Sequence, residues 1–99
     1  MVTRGDLSRW AEENEEELLF LDPADTFDSA ILGLGRRFNN YFVLYDGDRV
    51  IENLTAEMRD VVEDDGDPEI EAREWFEFNT IGGWVGDATP AFLFAVPEP

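Results

Sequence analysis

Ninety-nine residues holding 24 carboxylates against seven arginines, with no lysine, histidine or cysteine, carry a formal net charge of -17. The charge excludes a basic groove for nucleic-acid backbones, the missing cysteines exclude disulfides and thiolate chemistry, and the length excludes a second core. Hydrophobic residues at 43% and aromatic residues at 13% exclude an acidic disordered chain, which would be poor in aromatics, so one folded domain over 1–99 is expected.

The segment from Asp6 to about Leu19 reads as a first helix, with Asp6 as its cap, a thin apolar stripe of Leu7, Trp10 and Leu18, and a solvated acidic run from Glu12 to Glu17. The helix must stop before Asp22-Pro23, because the residue preceding proline is pushed out of helical geometry, and a loop through Asp25 follows. Two apolar runs, Ala30 to Arg36 and Tyr41 to Tyr45, flank the asparagine-bearing turn RFNN and read as an antiparallel hairpin. Gly33 and Gly35 share one side of the first strand and leave room for a bulky aromatic from a helix, such as Trp75 or Phe76. The run YFVLY is apolar on both faces, which calls for a cover on each: either the first helix or another subunit lies on the second face.

Asp48 can cap a helix from Arg49 to about Val62, whose inward stripe is Val50, Leu54 and Met58 with Ile51 and Val62 beside them. A charged loop from Glu63 to Asp67 follows, and Asp67 with Pro68 starts a third helix bearing Ile70, Ala72, Trp75, Phe76 and Phe78. That helix ends between Asn79 and Gly83, and AFLFAV forms a last strand before Pro97. The order helix, strand, strand, helix, helix, strand predicts a small α+β domain of about three antiparallel strands packed with three helices.

The stretch Glu74 to Phe92, EWFEFNTIGGWVGDATPAF, resembles the C-terminal signature of a small uncharacterised protein family of tailed viruses, and the likeness extends to Phe27–Gly33 and to Tyr45-Asp46 with its following helix. The resemblance implies a viral or mobile-element origin and an α+β fold, and it brings no activity, cofactor or catalytic residue with it. The composition is similar to that of cytoplasmic proteins from extreme halophiles. Like charges at this density repel, and at about 1 M salt the Debye length shrinks to about 3 Å, so concentrated electrolyte is the expected setting. Without an apolar run of signal or membrane length, the expected location is a host cytoplasm.

Without imidazole, thiol or amine side chains, a serine such as Ser8 or Ser29 has no activating base, and zinc lacks its usual ligands, so no enzyme, no cofactor and no metal are expected. An EF-hand register that puts Gly66 sixth puts Val61 first and Ala72 twelfth, which removes the essential ligands. Asn53-Leu54-Thr55 matches a glycosylation acceptor, but on a predicted helix without a secretion signal it reads as chance. Asn79 first reads as a helix cap; the functional alternative is that Glu77, Asn79, Trp84 and Asp87 gather around the glycine turn as a polar pocket with an aromatic wall. Trp84, Glu77, Asn79, Asp87, Tyr41 and Tyr45 are the candidate interaction residues. The expected function is a non-enzymatic protein-interaction module that forms a homodimer or binds another protein, with no direct contact to nucleic acid or membrane. The alternative is an acidic nucleic-acid mimic, with Glu12–Glu17 and the Glu63–Asp67 loop imitating phosphates.

Overall fold

The computed structural model describes residues 1–59, 66–81, 86 and 88–95. Its elements are α1 (Arg4–Glu13), α2 (Ala24–Phe27), a single 3-10 turn at Asp28–Ala30, β1 (Ile31–Arg37), β2 (Asn40–Asp46), α3 (Gly47–Met58), α4 (Pro68–Phe76) with a wider turn at Glu77–Ile81, and β3 (Ala91–Leu93). They form a small α+β domain with a three-stranded mixed sheet in the order β1-β2-β3.

The first helix starts earlier and stops sooner than its pattern predicts. Thr3 is the cap: its hydroxyl accepts from the Asp6 N–H at 3.1 Å, and the Asp6 carboxylate accepts from the Thr3 N–H at 3.0 Å. Asp6 therefore sits inside the first turn, where a carboxylate also favours the positive end of the helix dipole. At the other end the Glu-rich run meets the negative end of the dipole and its own like charges, both of which oppose propagation. Asn14 closes the helix with its amide on the Trp10 carbonyl at 2.8 Å, and Glu15 turns left-handed at φ 54°.

Arg4 ties this helix to the following segment. Its guanidinium pairs with Asp28 at 2.8 Å, donates to the Leu21 carbonyl at 2.9 Å and lies 4.8 Å from the centre of the Phe20 ring. The short α2, which the sequence left as a loop, is held from above by α3: the buried Thr26 hydroxyl donates to Glu57 at 2.8 Å, and the Asn53 amide donates to the Thr26 carbonyl at 2.8 Å and to Ser29 at 2.9 Å. The apparent glycosylation asparagine is thus a structural tie between α3 and the turn below it.

β1 and β2 pair antiparallel, with Leu34 opposite Val43, Gly35 opposite Phe42, and an irregularity between Ile31 and Gly33. β3 joins β2 in parallel, Tyr45 opposite Phe92, which corrects the expectation of an all-antiparallel sheet. The reason is the crossover: residues 47–90 carry the chain from the Asp46 end of β2 through α3 and α4 and back past that end, so that β3 enters opposite Leu44 and runs in the same direction, and a connection of that length permits a parallel neighbour.

α3 begins at Gly47, capped by the Asp46 carboxylate on the Arg49 N–H at 3.1 Å. A side chain at Gly47 would collide with the Phe94 ring, so the first turn of the helix needs the bare residue there. Asp67 caps α4 with its carboxylate on Glu69 N at 2.9 Å, and Pro68 occupies the first turn as predicted. One buried cluster joins Leu7, Phe27, Ile31, Val43, Tyr45, Val50, Ile51, Leu54, Ala72 and Phe76. Phe76 meets Phe92 edge to face with ring centres 4.8 Å apart, and Phe92 in turn stacks on Tyr45 at 6.0 Å. Only Ala72 and Phe76 of the α4 face are buried; Ile70 and Phe78 point outward at 54% and 89% exposure, because they fall about a half-turn away from the inward pair.

Alternation along β2 separates two faces. Val43 and Tyr45 enter the core, and Tyr41 on the same face meets the Trp10 ring at 4.9 Å, so α1 joins α3 and α4 on one side of the sheet. Phe42 and Leu44 point the other way. Gly35 is covered there by Phe42 of the neighbouring strand, since a side chain at Gly35 would run into that ring, and not by Trp75 or Phe76, which belong to the helix on the opposite face.

Candidate functional site

Of the residues expected to interact, Tyr45 is unavailable. It is fully buried, its hydroxyl accepts from the Leu21 N–H at 2.9 Å, and burial raises its pKa above the ordinary 10.0. Its place in the middle strand, between Phe27 and Phe92, makes it core. Tyr41 is half-buried between Trp10 and the Arg36 guanidinium, which lies 5.5 Å from its ring centre. Glu77 and Asn79 are both exposed at the end of α4, with Phe78 between them, and the Asn79 amide donates to the Trp75 carbonyl at 3.0 Å. Asn79 thus closes its own helix. Trp84 and Asp87, with the glycine turn, lie outside the described residues, so the proposed pocket is represented only by its α4 side.

A different surface lies at the hairpin tip. No aspartate or glutamate occurs between Asp28 and Asp46, so the hairpin carries a carboxylate only at the last residue of β2, Asp46, while Arg36 and Arg37 lie near its tip. At its tip Phe38 is 86% exposed and takes a left-handed backbone with φ 56°. An aromatic side chain in that region costs on the order of 1–2 kcal/mol relative to ordinary geometry. The Arg36 guanidinium donates to the Phe38 carbonyl at 2.8 Å, which ties a cation to the backbone of the tip. The signal was present in the sequence as a stretch free of acids; what the sequence lacked was the tip conformation that turns Phe38 outward.

Other recesses are less selective. A groove of about 720 Å³ between α3 and α4 contains Arg49, Arg59 and Arg73, but Asp48, Glu52 and Glu69 line it too. Arg73 pairs with Glu69 at 3.3 Å, so the groove offers neither sign of charge in excess. Among the described residues no three acidic side chains gather as a cation site, and no helix is long and apolar enough to cross a membrane. No protein-family profile, curated protein or solved structure matches the chain.

Proposed function

We propose that this protein is a small non-enzymatic interaction module, encoded by a virus of an extremely halophilic host and acting in that host's cytoplasm, which binds a protein partner through the hairpin tip. The observation that carries the reading is Phe38, held outward in a strained conformation in the middle of the one long stretch without carboxylates. Strain retained at an exposed aromatic suits a residue whose purpose is contact. Phe38 with Arg36 fits a partner that offers an apolar recess rimmed by carboxylates, and proteins of a molar-salt cytoplasm carry acidic surfaces for the same reason this one does. A side-chain set without imidazole, thiol or amine supports a non-enzymatic role. Neither nucleic acid nor membrane has a part in this reading.

The test is affinity capture from host extract in about 2 M KCl, comparing the wild type with Phe38→Ser, Arg36→Glu and a Glu12→Gln/Glu13→Gln double variant. One defined protein retained by the wild type and the helix variant, and lost with the two tip variants, supports the module. The reverse pattern, loss with the helix variant alone, overturns it in favour of the acidic mimic, which would use the Glu12–Glu17 carboxylates.

A further inference from the structure

Resting on the reading of the hairpin tip as the contact element, we infer that the tip engages a second copy of this chain, whose recess beside Phe78 receives Phe38. The tip projects. β3 reaches back only as far as Leu44, so residues 40–43 of β2 run on for about 13 Å beyond the last strand. The recess, about 490 Å³, lies at the end of α4, is lined by Arg73, Glu74, Glu77 and Phe78, and has a largely apolar surface.

Shape and charge pair the two. Among the described residues Phe38 and Phe78 are the exposed aromatic side chains, at 86% and 89%, so neither ring covers the other within one chain. A contact between them needs two copies. Their charged neighbours are of opposite sign: Arg36 and Arg37 precede Phe38 in the chain, whereas Glu74 and Glu77 line the recess with Phe78. Among the described residues none of these four has an ion pair, and Arg73 is held by Glu69 at 3.3 Å, which leaves the rim acidic. The recess thus supplies what the tip asks for, an apolar floor between carboxylates. An aromatic ring set in an apolar recess supplies the affinity of such a contact, and the rim charges supply its orientation.

Tip and recess are different patches, so the contact is heterologous and copies join head to tail. One tip in one recess buries far less than the ~1,000 Å² of a stable specific interface, and the association is correspondingly weak.

Sedimentation equilibrium over a concentration series in about 2 M KCl measures it. Phe38→Ser and Phe78→Ser should each abolish association at concentrations where the wild type associates. Both side chains are exposed, so neither change should disturb the fold, which circular dichroism confirms. Mixing the two variants is the decisive arm: one keeps its recess and the other its tip, so together they should form a one-to-one complex while each alone stays monomeric. Arg37→Glu and Glu77→Arg should each weaken association about threefold in about 0.5 M KCl, and the double variant should recover it. A wild type that is monomeric at every concentration, an association indifferent to either ring, or a mixture that stays monomeric overturns the inference. Phe78→Ser also separates this inference from the proposed function, because it removes the recess and leaves the tip. A monomeric wild type that still retains a host protein through Phe38 overturns the self-contact and leaves that function standing.

Discussion

Dilution of salt should unfold this protein, and the size of the effect can be worked out. A Cα radius of gyration of 14.6 Å corresponds to a sphere of about 19 Å radius, and the chain puts a net charge of -17 on it. Smearing that charge over the sphere in water gives a self-energy of about 11 kcal/mol at 0.1 M salt and about 4 kcal/mol at 1 M, using Debye lengths of about 10 and 3 Å. An unfolded chain of this length, with a radius of gyration of about 30 Å, carries only about 3 and 1 kcal/mol under the same conditions. Lowering the salt from 1 M to 0.1 M should thus remove about 5 kcal/mol of stability, against a total of about 5–15 kcal/mol for a domain of this size. Local ion pairs do little to offset this, since those among the described residues use only Arg4 and Arg73, and both are partly exposed. Urea titrations followed by tryptophan fluorescence and far-ultraviolet circular dichroism, at a series of KCl concentrations, measure the slope. A stability constant to within about 1 kcal/mol across that range would refute the reasoning and mean that the carboxylates are compensated in a way the charge count does not reveal.

Phe38→Asn should stabilise the hairpin by about 1 kcal/mol in thermal denaturation, because asparagine tolerates left-handed geometry and leaves the backbone carbonyl free to accept from Arg36. Tyr45→Phe should cost about 1–3 kcal/mol, since it leaves the Leu21 N–H without an acceptor in a partly buried setting; in the wild type, alkaline spectrophotometric titration should show one phenol resisting ionisation above pH 10, the ordinary tyrosine value. The hydrogen bonds from Thr3 hold the Asp6 carboxyl below its ordinary 3.8, so its support of α1 is present above about pH 4 and lost as the pH falls through the lowered value. Asp6→Asn should flatten that part of the acid transition, read as helicity at constant high salt, and an acid transition unchanged by the substitution would count against the capping box.

Local chemistry made much of the fold legible. The hairpin followed from two apolar runs around Asn39 and Asn40, the inward stripe of α3 from Val50, Leu54 and Met58, and the start of α4 from Asp67 and Pro68. Features set at a distance were not legible. The direction of β3 depends on the path of residues 47–90, and the start of α3 at Gly47 depends on the Phe94 ring. The four residues of α2 are too few for periodicity to show, and their ties come from Asn53 and Glu57, far along the chain. At the candidate site the same rule applies. Tyr45 and Tyr41 look equivalent in YFVLY and lie on the same face, but only Tyr45 enters the buried cluster while Tyr41 meets Trp10 at its margin, and no local pattern distinguishes a phenol deep in the middle strand from one near its end.

Three residues of the final strand complete the aromatic interior from its open side. Phe92 and Phe94 both lean on Phe76, and Phe92 also seals Tyr45, yet the ladder that fastens them to β2 is only three residues long and closes the longest excursion of the chain. A proteolytic cut just before Ala91 would therefore not trim a tail. It would take away one wall of the interior and leave two large rings facing water.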